Sequence, residues 1–189
     1  MKRFDDEDLR PVTDNEDALV NTVLAELSDC FEVHRQVSGI YPGGKRMRID
    51  SVLVPKDKEI WRNKDVALGV EFKSSYLTES KDLSGALGQL IDYSLVEWEG
   101  FGQLPIFVCP GLRPRKSQYR KEFAEGYRYG FSRVMKEFNI GELLPHSYYG
   151  WSFVMAGSHD MWTQLNGTCE GKLWGLKRKY GNRGIGVKK

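Results

Sequence analysis

The chain has 189 residues, 40% of them hydrophobic and 29% charged, enough for one domain with its own core and too few for two of ordinary size. An aromatic share of 12% excludes a disordered chain, and a mean hydropathy of −0.50 without any long uncharged apolar run excludes a membrane-spanning helix. The net charge of +2 conceals a division: residues 1–110 carry 13 basic against 20 acidic side chains, and residues 111–189 carry 15 against 6, together the 28 and 26 of the whole chain. The basic portion suits a polyanionic partner.

Cys30, Cys109 and Cys169 stand singly, without the pairing expected of a disulfide framework or a zinc ribbon. His34, His146 and His159 lack the short spacings of zinc hydrolases. The opening Met1-Lys2-Arg3-Phe4 has no apolar leader segment, so a cytoplasmic location is expected.

In chain order, Thr13 and Glu16 have the form of a capping box and predict a helix beginning near Asp14. Its apolar stripe is Leu19, Val20, Val23, Leu24, Leu27, Cys30 and Phe31, with Glu26 at one edge. Alternation predicts a strand over 31–37, a loop over 38–44, a second strand over 46–54 ending at Pro55, and a third over 66–73. On the third strand, Leu68, Val70 and Phe72 share one face and Gly69, Glu71 and Lys73 the other. A helix is expected over 83–96, with Gln89 and Tyr93 on one face, and a short strand over 105–108. Beyond it, a long helix over 117–138, strands over 148–156 and 161–165, and a basic tail over 172–189 complete the reading.

Asp50 on the second strand and Glu71-Phe72-Lys73 closing the third are separated by twenty residues, and Gln89-Leu90-Ile91-Asp92-Tyr93 follows. Glu-x-Lys occurs three times, at Glu71, Glu79 and Glu170, but only the first ends an apolar strand just downstream of a strand bearing an aspartate. In these residues the chain resembles the PD-(D/E)XK nuclease superfamily, and Gln89-x-x-x-Tyr93 resembles the motif of its RecB-like branch. Ile49 stands where the superfamily name has proline. The resemblance covers roughly residues 14–108.

It implies a single α/β domain with a restriction-endonuclease-like αβββαβ core, a central mixed sheet flanked by helices, and a C-terminal elaboration over 111–189. It further implies a Mg²⁺- or Mn²⁺-dependent deoxyribonuclease. Asp50, Glu71, the Phe72 carbonyl and Glu26 are the expected metal ligands, and Lys73 the group that orients or deprotonates the attacking water. Gln89 and Tyr93 are expected beside them, supporting water or phosphate. Magnesium suits such a site because it needs only one or two carboxylates alongside water and phosphate oxygens. Arg46 and Arg48, on the strand of Asp50, and Arg113, Arg115 and Lys116, after the fourth strand, are the expected DNA contacts. A homo-oligomer or a larger DNA-processing assembly is compatible with this reading. A nucleic-acid-binding or assembly module that no longer cuts, or an endoribonuclease, would share the same residues.

Overall fold

In the computed structural model, which describes residues 15–61, 63–74, 80–111, 130–131, 133–155 and 159–165, the first element is helix α1, Glu16–Leu27. Its N-cap is Asn15, whose side-chain oxygen accepts the Ala18 N–H at 3.0 Å. The helix therefore starts slightly later than the expected position near Asp14, and Thr13 lies outside the described residues. Leu19, Val23, Leu24 and Leu27 are buried as the 3.6-residue period requires. Cys30 and Phe31 continue that period but fall beyond the helix.

Phe31 opens strand β1 (Phe31–Ile40), which forms an antiparallel hairpin with β2 (Arg46–Pro55). The loop expected over 38–44 is shorter, because Ser38, Gly39 and Ile40 all pair with β2. Tyr41 N–H donates to the Lys45 carbonyl at 2.9 Å and Gly44 N–H to the Tyr41 carbonyl at 2.8 Å. Gly44, with φ of +81°, supplies the left-handed residue that closes this type of turn without a Cβ clash.

The third strand, β3 (Leu68–Phe72), pairs with β2 antiparallel over Ser51–Val70, Val52–Gly69 and Leu53–Leu68. Helix α2 (Ser80–Ser94) comes next, then a two-residue strand β4 (Glu97–Trp98) on the outer edge of β1. Strand β5 (Ile106–Cys109) runs parallel to β3, as the intervening helix allows. Strand β6 (Ile140–His146) is parallel to β5, and β7 (Gly150–Met155) and β8 (His159–Thr163) continue as an antiparallel meander. The result is an α/β fold on a mixed eight-stranded sheet in the order β4-β1-β2-β3-β5-β6-β7-β8.

Strands β4 and β6 have no counterpart among the elements expected from the sequence. Six of the seven β6 residues are buried and only Glu142 is partly exposed, so the strand has no alternation to read. Residues 130–131 and 133–137 are helical, and Met135 is buried, as expected for the end of the long helix. Phe123, Tyr127 and the basic tail lie outside the described residues. Among the described residues no helix is long and apolar enough to cross a membrane.

The sheet separates two cores. On one face α1 packs Leu19, Val23, Leu24 and Leu27 with Leu68, Val70 and Phe72 of β3 and an aromatic group of Phe31, Trp61, Phe153 and Trp162. The Phe31 ring meets Trp162 edge-on at 4.9 Å and Phe153 at 5.7 Å, a favoured aromatic geometry. On the other face α2 packs Leu83, Ala86, Leu90 and Tyr93 against Ile49, Ile106, Val108 and Ile140.

Two glycines let these layers close. A Cβ on Gly69 would stand 2.8 Å from the Cδ1 atoms of Ile49 and Ile106, which are flexible side-chain ends. A Cβ on Gly141 would collide with the Phe107 ring and sit 2.7 Å from the Val154 carbonyl, where the backbone cannot yield. Gly141→Ala should therefore cost about 1–3 kcal/mol of overpacking and Gly69→Ala less, an order that urea unfolding of the two variants checks.

Candidate active site

Strand β3 aims its groups by simple alternation. Leu68, Val70 and Phe72 enter the α1-side core, which leaves Glu71 on the α2 side. The Gly69 and Lys73 N–H groups donate to Pro105 and Cys109 carbonyls on the β5 side, at 3.0 and 2.9 Å. The Phe72 N–H, one residue out of phase with them, faces β2. The β2–β3 ladder stops at Ser51–Val70. Beyond that rung the Asp50 carboxylate, not a β2 carbonyl, accepts the Phe72 N–H, at 2.9 Å to Oδ2.

Glu71 is 5% exposed. Its Oε1 accepts from Lys73 Nζ at 2.8 Å and from Gln89 Nε2 at 2.8 Å, and Lys73 Nζ also donates to Gln89 Oε1 at 2.9 Å. The three side chains form a closed triangle. Gln89 can complete it because an amide carries a donor and an acceptor at one end. Gln89 Nε2 also donates to the Tyr93 hydroxyl at 2.8 Å, and that hydroxyl donates to the Arg48 carbonyl at 2.9 Å. The Gln-x-x-x-Tyr spacing, one helical turn, thus links the triangle to the backbone of the strand that carries Asp50.

Burial and the neighbouring Asp50 charge push the Glu71 carboxyl up to about 7, against the opposing pull of Lys73. Burial and the Glu71 charge push the Tyr93 phenol up to about 12, so it stays protonated and remains a donor at neutral pH. Glu71 Oε2 is buried and, among the described residues, has no hydrogen-bond partner. An acceptor oxygen left this way is costly unless something else binds it.

The chain thus brings Asp50, Glu71, Lys73, Gln89 and Tyr93 together. It does not bring Glu26 to them. The Glu26 carboxylate accepts from Trp151 Nε1 at 2.7 Å, and its carbonyl accepts from Gln164 Nε2 at 2.8 Å, tying the C-terminal end of α1 to β7 and the residues after β8. The α1 residues beside Asp50 are instead Glu16, Asp17, Val20 and Asn21, which with Arg35 and Gln36 line a cleft of about 400 Å³. Periodicity placed Glu26 correctly on the helix wheel, but only packing decides which end of a helix meets the sheet at Asp50.

Among the described residues, no group of three or more His, Cys, Asp or Glu side chains is gathered as a metal-holding cluster. Two carboxylates, one with an orphaned buried oxygen, still fit a magnesium-type ion that keeps most of its other positions for water and phosphate. Arg48 is exposed; Arg46 is exposed and 3.6 Å from Glu99 in an ion pair open to solvent. Arg113, Arg115 and Lys116 lie outside the described residues.

Gln36 was missed by sequence reading. It falls with Asp50 in the gap that the hairpin ladder leaves between Arg35–Ser51 and Val37–Ile49, and it donates to Asp50 Oδ1 at 3.3 Å. Centring the hairpin on Gly43, the middle of the turn, would have found it, since positions 36 and 50 are equidistant from residue 43. Comparison with protein-family models, with curated proteins and with solved structures returned no match.

The raised Glu71 carboxyl makes stability depend on pH. Between about 4.5 and 7 the folded chain keeps a proton that the unfolded chain has released, so the metal-free protein loses stability as pH rises through that window and levels off above it. At about 1.4 kcal/mol per pH unit the loss across that window is on the order of 3–4 kcal/mol. Glu71→Gln should remove this component, and urea unfolding of both proteins at pH 5 and pH 8 measures the difference in slope.

Proposed function

We propose that the chain is a divalent-cation-dependent nuclease that hydrolyses phosphodiester bonds in DNA, built on the restriction-endonuclease-like core that its motifs resemble. The observation that carries the reading is the Glu71–Lys73–Gln89 triangle, with Asp50 at the adjoining strand gap and Glu71 Oε2 without a partner among the described residues. The succession α1, β1, β2, β3, α2, β5, interrupted only by the two-residue β4, supports it further.

Asp50, Glu71 and the Phe72 carbonyl are the groups that would hold Mg²⁺ or Mn²⁺. When bound, such an ion supplies Lewis-acid polarisation of the phosphoryl group and makes water acidic enough to attack at neutral pH. The remaining work falls to side chains. Lys73 has three N–H donors and spends two on Glu71 and Gln89, so the third is left for the attacking water or a phosphate oxygen. Its charge offsets the negative charge that gathers on the phosphoryl oxygens as the new P–O bond forms and the opposite one breaks. Gln89 keeps Lys73 and Glu71 in register, and Tyr93 acts as a positioning residue through Gln89, its hydroxyl donating to the Arg48 carbonyl.

Arg46 and Arg48 continue β2 outward from Asp50, in position to neutralise backbone phosphates. The Arg46–Glu99 pair is solvent-exposed and worth little, so a phosphate can displace it at small cost.

The purified protein, offered linear, circular, single-stranded and branched DNA and RNA with Mg²⁺ or Mn²⁺, should cut DNA only when the cation is present. Lys73→Ala should lower the rate by about 100- to 10,000-fold. Asp50→Asn, which preserves the shape and the bond to the Phe72 N–H, should reduce cleavage to background. Cation-independent binding without cleavage on every substrate would replace the enzyme reading with a binding module, and preference for RNA would replace the substrate.

A further inference from the structure

Among the described residues, two non-glycine residues have positive φ, Gln36 at +53° and Asn139 at +55°. Asn139 follows the helical residues 133–137, a place where asparagine commonly takes the left-handed form. Gln36 has no such reason. It lies in the middle of β1, where a left-handed side-chain-bearing residue is uncommon and strained.

The strain coincides with a reversal of both strands of the hairpin. Val33 packs in the α1-side core and Val37 in the α2-side core, although residues four apart on a regular strand share a face. Across the hairpin, Leu53 belongs to the α1 side and Ile49 to the α2 side, with the same spacing and the same inversion. The register is the same on both flanks, Arg35 opposite Ser51 and Val37 opposite Ile49, and between them Gln36 and Asp50 are left out of the ladder, so the two strands change phase together at that gap. There the Asp50 carboxylate lies at the edge of β3, one oxygen on the Phe72 N–H and the other 3.3 Å from Gln36 Nε2.

We infer that Gln36 is a positioning residue for Asp50: its left-handed backbone accompanies the turn-over of the strand pair at that gap in the ladder, and its amide holds the carboxylate oriented for a divalent cation. This rests on the reading of Asp50 and Glu71 as the cation site. Strain at one position, beside the place where the β2–β3 ladder ends, is what a site that trades stability for geometry requires.

The test measures Mn²⁺ affinity by titration calorimetry and thermal unfolding without metal, in the unaltered protein, Gln36→Gly, Gln36→Asn and Asp50→Asn. Glycine relieves the left-handed strain and removes the amide; asparagine tolerates the backbone but is one methylene shorter. Both variants at position 36 should bind Mn²⁺ about 10- to 100-fold more weakly, the loss typical of removing a group that orients a metal ligand. Gln36→Gly should at the same time melt about 2–4 °C higher. A lower melting temperature together with weaker binding would mean that Gln36 only supports the hairpin, and unchanged affinity in both variants would overturn its role toward Asp50. Should Asp50→Asn bind Mn²⁺ as tightly as the unaltered protein, the cation site itself is elsewhere and the proposed function fails with it.

Discussion

A single hydrogen bond, from the Phe72 N–H to the Asp50 carboxylate, organises the centre of this protein. In a continued antiparallel ladder that N–H would be taken by a backbone oxygen of β2, and β2 and β3 would remain zipped past Ser51 and Val70. Giving it to a side chain lets the strands part while leaving no buried donor unpaired. The gap that results is where an acid from each strand can approach the other, and the upward push of the Asp50 charge on Glu71 is the electrostatic trace of that approach.

Two acids held so near each other, one of them almost wholly buried, would be unfavourable if left alone. The surroundings offset much of the cost. Lys73 provides the opposite charge, Gln89 satisfies both partners with one amide, and Tyr93 passes the load to the Arg48 carbonyl. Every member of this chain comes from β2, β3, the residue just after β3, or α2, and α2 is seated by Leu83, Ala86, Leu90 and Tyr93 in the core beneath. The polar network is thus anchored by apolar packing on the same helix, with Glu71 Oε2 the acceptor that no other described residue meets.

Much of this was legible beforehand. The period-two face of β3 and the one-turn spacing of Gln89 and Tyr93 are local properties, governed by backbone geometry within a few residues, and they assembled as alternation and helix periodicity require. The hairpin turn was less legible, because Ser38 and Gly39 read as loop residues although β2 recruits both into strand pairing and β4 pairs with Gly39 as well. Burial on both faces hid β6 for a related reason: a strand without a solvent side has no polar positions to mark its period.

The order of residues settles which side chains lie together along one strand or one helix face, since that follows from 2-residue and 3.6-residue repeats. It could set Glu26 at the edge of the apolar stripe but not at either end of the sheet, and packing sent its carboxylate to Trp151 while Glu16 and Asp17 came to the cleft at Asp50. Nor could it reveal the reversal of β1 and β2 at Gln36, because glutamine has no preference for the left-handed region that would mark the position in the sequence. Distances along a chain are set by covalent geometry, whereas the meeting of separate elements is set by the packing of two cores at once.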